Sequence, residues 1–188
     1  MSDLVLKGKA IKLGDNISTD DIIPGRFAHL RSNLPELAKH VLEDIAPAFA
    51  SRVKPDDFLV AGKNFGLGSS REHAPVVIKM SGISAILAKS AARIFFRNAI
   101  NQGMPVLLCD TDKIRDNDDL EIDLATGVVA NLTSGSKMEC SKMSPLASGI
   151  LEEGGLIPYI KKYKDFIIAV SQSTESFASC HSEGAKQQ

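Results

Sequence analysis

Apolar positions interspersed with lysines along Leu4–Leu13 predict a strand or strand pair at the start of the chain, with turn chemistry at Gly8. A polar loop, GDNISTDDIIPGRF, follows from Gly14 to Phe27. Over Leu34–Phe49 the residues Leu34, Leu37, Ala38, Val41, Leu42 and Ile45 recur at helical spacing, so one or two helices are expected, ended or bent at Pro47. The middle of the chain is the most regular part. Short apolar runs at Phe58–Gly62, Ile83–Ala88 and Pro105–Cys109 read as strands, separated by helical stretches at Val76–Met80 and Ser90–Gln102, the latter closed by Gly103. Strand–helix–strand–helix–strand with short links implies a parallel core with right-handed crossovers. Asp119–Asp123 and Val128–Leu132, joined through Ala125-Thr126-Gly127, then read as an antiparallel hairpin. Ser144–Tyr163 carries helical stretches punctuated by Gly154-Gly155. An α/β domain over residues 1–170 is expected, with no internal repeat. The small, polar, aperiodic residues 171–188 read as a disordered tail.

Composition narrows the function classes. The 188 residues are 44% hydrophobic and 24% charged, the balance of an ordinary globular domain. The net charge of -1, with aromatics at only 5%, provides neither the basic field nor the stacking platforms of a nucleic-acid binder. Apolar runs are interrupted by charge well short of a membrane span, and the opening MSDLVLKGKA holds no secretory core, so a cytoplasmic protein is expected. The three cysteines, Cys109, Cys140 and Cys180, are too widely spaced for a disulfide framework or a C-x2-C metal site. No metal is expected on this chain, and Cys109 is expected as a buried core thiol.

The chemistry concentrates in Gly62-Lys63-Asn64-Phe65-Gly66-Leu67-Gly68-Ser69-Ser70-Arg71-Glu72-His73. Gly66 and Gly68, after a strand and before a helix, let backbone N–H groups converge on a small anion. Ser69 and Ser70 add hydroxyls, and Arg71 adds a planar fork suited to a carboxylate or phosphate. Pro75 restricts the following helix to a start near Glu72, which leaves Ser69, Ser70 and Arg71 in the loop. The simpler alternative is a tight turn with a capping serine; it needs one serine, not two followed by arginine. A P-loop is excluded because Lys does not follow the second glycine. Asp15-Asn16-Ile17-Ser18-Thr19-Asp20-Asp21 reads by itself as a self-capped turn and lacks the spacing of a calcium loop. His73 lies beside the glycine loop; His40, on an expected helix, and His29, in a loop, read as surface or satisfied residues. The Lys161-Lys162-Tyr163-Lys164 run reads as a solvated helix face.

Taken together, Gly14–Pro24, Gly62–Ala74, the helix Ala88–Gly103 and the ending Gly154–Lys162 resemble the small-subunit family of 3-isopropylmalate dehydratase, the detached swivelling domain of the aconitase family. The resemblance runs in order over residues 4–164 and implies a swivelling β/β/α three-layer sandwich. It implies a hydro-lyase that dehydrates and rehydrates a hydroxy-di- or tricarboxylate. A large iron–sulfur subunit would be the partner and would carry a 4Fe–4S cluster. It further implies Ser69 as the base, Ser70 and Arg71 as carboxylate ligands, and Asp20, Gly66, Gly68 and His73 in support. The loop after Ile22-Ile23-Pro24 would face the variable substituent of the substrate. Where the family often has Tyr-Leu, this chain has His29-Leu30 followed by Arg31, so Arg31 is a candidate substrate ligand. Isopropylmalate stands first as substrate, with homoaconitase, aconitase-type and substituted-malate dehydratases behind it. A non-catalytic anion-binding module is the alternative of a different class.

Overall fold

The computed structural model describes residues 5–164, so the 171–188 tail, the boundary at 170 and Cys180 lie outside the described residues. Seven strands form one mixed sheet in the order β4-β3-β2-β1-β5-β6-β7. These are β1 (Val5–Lys12), β2 (Phe58–Val60), β3 (Ala85–Ala88), β4 (Val106–Leu108), β5 (Asp119–Asp123), β6 (Val128–Asn131) and β7 (Lys137–Glu139). β1 pairs parallel with β2 (Ile11 opposite Leu59) and antiparallel with β5 (Leu6 opposite Ile122), so one long strand joins both halves. The β2–β3–β4 pairing is parallel and the expected hairpin is β5–β6. β7, not anticipated, adds a third antiparallel strand; its three residues are too few to show alternation.

The three layers follow from side-chain alternation on fully buried strands. Ala10, Phe58, Val60, Ala85 and Leu87 point to one face, where they pack with Leu120, Ile122, Val129 and Met138 of the antiparallel half. Their neighbours Ile11, Leu59, Ala61, Ile86 and Ala88 point to the other face, under the helices. That second core receives α2 (Leu34–Ala38) through Leu37, α4 (His73–Met80) through Ala74, Val77 and Ile78, and α5 (Arg93–Asn101) through Phe95 and Ala99. The expected β/β/α arrangement is present. α6 (Pro145–Glu152) and α7 (Leu156–Tyr163) enclose a small third cluster of Ile100, Ile150 and Tyr159 against α5.

Three local expectations are corrected. Gly8 is not a turn: it lies within β1, where a Cβ would come to 2.0 Å from the Asp56 carbonyl oxygen, so glycine is required by close approach. The stretch Leu34–Phe49 is one short helix followed by turns: beyond Ala38 the hydrogen bonds tighten to three residues back, His40 N–H to the Leu37 carbonyl, and Leu42, at φ 58°, leaves the helical region; α3 (Phe49–Arg52) begins only after Pro47. His40 consequently sits in a turn after α2, not on a helix. The run at Lys161–Lys164 does close α7 on its exposed side, with Lys162 paired to Glu153.

Candidate active site

The polar loop at 14–24 folds around a single helical turn, α1 (Thr19–Ile22). Ser18 caps it: its Oγ accepts from the Asp21 N–H at 3.1 Å, and Asp21 Oδ2 accepts from the Ser18 N–H at 2.7 Å. This reciprocal box is the self-capped turn expected here. It uses Ser18 and Asp21 and leaves Thr19 and Asp20 for another purpose.

That purpose is contact with the glycine loop. The Gly66 N–H donates to the Ile17 carbonyl at 2.7 Å, the Thr19 N–H donates to the Leu67 carbonyl at 2.7 Å, and Thr19 Oγ1 donates to the Ser69 carbonyl at 3.2 Å. Gly66, at φ 75°, lies against the Phe95 ring, and a Cβ there would meet Phe95 Cγ at 2.2 Å. Gly68, at φ 95°, adopts a backbone conformation that L side chains rarely reach. The glycines thus fold the loop tightly onto α1 and α5. The Gly66 amide is spent on Ile17, so it does not join an anion cradle. The amides of Gly68, Ser69 and Ser70 have no partner among the described residues.

α4 begins at His73, with Glu72 at the N-cap and Pro75 inside the first turn, as Pro75 required. No side chain caps it. Neither the Ser69 nor the Ser70 hydroxyl has a hydrogen-bond partner among the described residues, so the capping-serine alternative fails. Arg71 is mostly buried, its side chain 19% exposed. Its Nη1 donates to the carbonyl oxygens of Thr19 and Ile23, each at 3.0 Å, and its Nη2 donates to Asp20 Oδ1. Both ends of α1 and one carboxylate therefore hold the guanidinium, leaving Nε–H and one Nη2–H without a protein acceptor.

Ser69, Ser70 and Arg71 line an open cavity of about 380 Å³ together with Ile23, Glu72 and His73. Arg31 lines the same cavity, brought there by a 3₁₀ segment, Gly25–Ser32, although it is 38 positions from Ser69 in the chain. Arg31 pairs with no carboxylate among the described residues. Asp20 reaches the site through Arg71. Gly66 and Gly68 shape the loop, and His73 stands at the cavity wall. Thr19 and Ile23, which no sequence feature singled out, turn out to fix Ser69 and Arg71. A Ser-Thr pair ahead of paired aspartates was the available signal for Thr19; for Ile23 there was none, since it acts through its backbone.

No group of three or more metal-ligating side chains occurs among the described residues. Cys109 is half-buried, not fully buried as expected, and interacts with buried Cys140. The two chain segments are joined by the Ser141 N–H donating to the Leu108 carbonyl at 2.8 Å. The neighbouring Cys140 thiol, with burial, pushes the Cys109 thiol up, and Cys109 in turn holds Cys140 below its ordinary value. Both thiols pack with the core between the β layers, whereas the cavity opens on the helical side. Two thiols in that place do not fit a 4Fe–4S cluster, which takes four thiolates, or three where one iron is left open to substrate. Among the described residues no helix is long and apolar enough to cross a membrane.

Comparison with known proteins identifies the family. Residues 42–110 match the aconitase C-terminal domain. The chain is 57% identical to 3-isopropylmalate dehydratase small subunit 2 of Archaeoglobus fulgidus, over 86% of this chain and 98% of that protein. It is 55% identical to small subunit 1 of the Thermotoga maritima enzyme, with the same coverage of both chains. The crystal structure of 3-isopropylmalate dehydratase (leuD) from Methanocaldococcus jannaschii superposes with a TM-score of 0.81 at 45% identity, covering 85% of this chain and 95% of that one. The chain belongs to the 3-isopropylmalate dehydratase small-subunit family, hydro-lyase subunits of the aconitase family.

Proposed function

We propose that this chain, joined to a large subunit, interconverts 2-isopropylmalate and 3-isopropylmalate by dehydration and rehydration, as a step of leucine biosynthesis in the cytoplasm. The observation that carries the reading is the pair of unpartnered serine hydroxyls beside an anchored arginine in one cavity. Ser69 Oγ takes the proton from the carbon alpha to a carboxylate. The electron pair of that C–H bond forms the C=C bond, and the hydroxyl on the neighbouring carbon leaves. Rehydration with the two carbons exchanged produces the isomer. A serine hydroxyl serves as a base only as the alkoxide, which needs fixed positive charge and N–H dipoles nearby. Arg71 on the cavity wall and the unpartnered amides of Gly68, Ser69 and Ser70 support that role for Ser69.

Ser70 and the open N–H groups of Arg71 bind the substrate carboxylate, while Asp20, Thr19 and Ile23 keep the guanidinium in place. The 4Fe–4S cluster belongs, in this reading, to the large subunit, because the two described thiols do not fit one. A second reading has one specific observation behind it. Arg31, a cation without a carboxylate partner, faces the cavity, which favours a substituent ending in a carboxylate, as in a homoaconitase. If its charged end turns outward, only its methylene stem meets an isopropyl group.

The test is anaerobic copurification with the large subunit, followed by assay of isopropylmaleate, homoaconitate and cis-aconitate hydration. Turnover on isopropylmaleate is expected. Turnover confined to homoaconitate would transfer the assignment to the second reading, and a chain that assembles with no iron–sulfur subunit would leave an anion-binding module. Ser69→Ala should lower turnover by about 10³-fold or more with assembly intact. A loss confined to KM would remove Ser69 as the base.

A further inference from the structure

The 3₁₀ segment Gly25–Ser32 delivers Arg31 to the cavity, yet it buries no residue fully and its N-cap makes no side-chain hydrogen bond. Eight residues of 3₁₀ geometry exceed what such hydrogen bonding ordinarily sustains. Something else holds the segment, and the described side chains show what. The Phe27 ring stacks on the His40 imidazole, with centroids 3.9 Å apart and planes 15° apart. The Arg26 guanidinium lies over the same Phe27 ring, 4.5 Å from its centroid. Glu43 closes the circle: one carboxylate oxygen meets His40 Nδ1 at 2.5 Å and the other accepts from Arg26 Nη2 at 3.1 Å. Asp44 takes Arg26 Nη1, and His29 Nδ1 meets the Arg26 carbonyl at 3.0 Å, tying the cluster to the segment's own backbone.

Each of these links crosses from the segment to the turn after α2 or stiffens the segment itself. Arg31, five residues beyond Arg26, has no side-chain partner, so its placement depends on the backbone that carries it. We propose that the closed circle Arg26–Phe27–His40–Glu43 is a positioning cluster that sets where Arg31 stands in the cavity and thereby which substituent of the hydroxy acid the site accepts. This rests on the reading that Arg31 faces the variable substituent of the substrate. None of the four touches the substrate; they act through the segment.

The experiment uses the assembled two-subunit enzyme and compares His40→Ala, Arg31→Ala and the double variant on isopropylmaleate and homoaconitate. His40→Ala is expected to raise KM about three- to tenfold with kcat within about twofold, and to shift the preference between the two substrates in the same direction as Arg31→Ala. The double variant should move little beyond Arg31→Ala alone, because both changes remove one function. His40→Phe, which keeps the stack on Phe27, should recover most of the KM. If His40→Ala prevents assembly, Arg26→Gln serves in its place, since Arg26 is exposed and its loss opens the same circle. Effects on substrate preference that simply multiply, or a preference unchanged in His40→Ala while Arg31→Ala shifts it, would overturn the proposal and leave the Arg31 reading standing. An Arg31→Ala enzyme with unchanged KM and preference would overturn that reading and the proposal with it.

Discussion

Arg71 shows how much one side chain carries here. Its three hydrogen bonds go to the Thr19 and Ile23 carbonyls and to Asp20, two N–H groups remain without a protein acceptor, and the residue lines the cavity. A lysine offers one compact ammonium and cannot meet all of these partners at once. Arg71→Lys should therefore lower kcat/KM by about 10- to 100-fold, with a higher KM and a lower kcat in steady-state assays; unchanged kinetics would take Arg71 out of the site. The serines and Arg71 were legible in the sequence because they are consecutive and follow two glycines ahead of a helix. Thr19 and Ile23 were not, since their contribution is a contact across about 50 positions of chain. Gly8 was misread as a turn for the same kind of reason: what forbids a side chain there is the carbonyl of Asp56, distant in sequence.

Among the elements, α1 is one of the two four-residue helices, and it holds Arg71 from both of its ends. A four-residue helix has almost no propensity of its own to rely on, so its cap matters. Ser18→Ala removes one half of the reciprocal cap. The expected cost is about 1 kcal/mol, seen as a Tm about 2–4 °C lower by calorimetry, with a raised KM because α1 presents its carbonyls and Asp20 to Arg71. An unchanged Tm would show that tertiary contacts alone hold the turn. The parallel strands and the start of α4 were readable from apolar runs and Pro75. After α2 the chain does not resume a helix, for a reason no periodicity reveals: Leu42, at φ 58°, donates its N–H to the Ile22 carbonyl at 3.1 Å and is completely buried. Tertiary packing overrode helical spacing there.

For the molecule as a whole, surface carboxylates set the acid limit of stability. Glu43 is held below its ordinary value by the His40 hydrogen bond and by Arg26, Asp112 by Lys89, and Glu153 by Lys162. A carboxyl group whose folded-state value is depressed contributes stability above its unfolded value and loses it as pH falls through the folded one. The unfolding midpoint should thus stay flat from neutral pH to about pH 5 and fall below about pH 4, measured as Tm across a pH series; a midpoint that rises on acidification would contradict these pairings. By itself the sequence determined the strand–helix alternation, the family, and the run Ser69-Ser70-Arg71, because each is written in residues close together or in a motif order that survives without coordinates. Only the tertiary structure decided that Arg31 shares a cavity with those serines, that α1 anchors Arg71, and that Arg26, Phe27, His40 and Glu43 form one circle. Those relations join segments separated along the chain, and their distances are set by how the layers pack, which no local pattern of residues encodes.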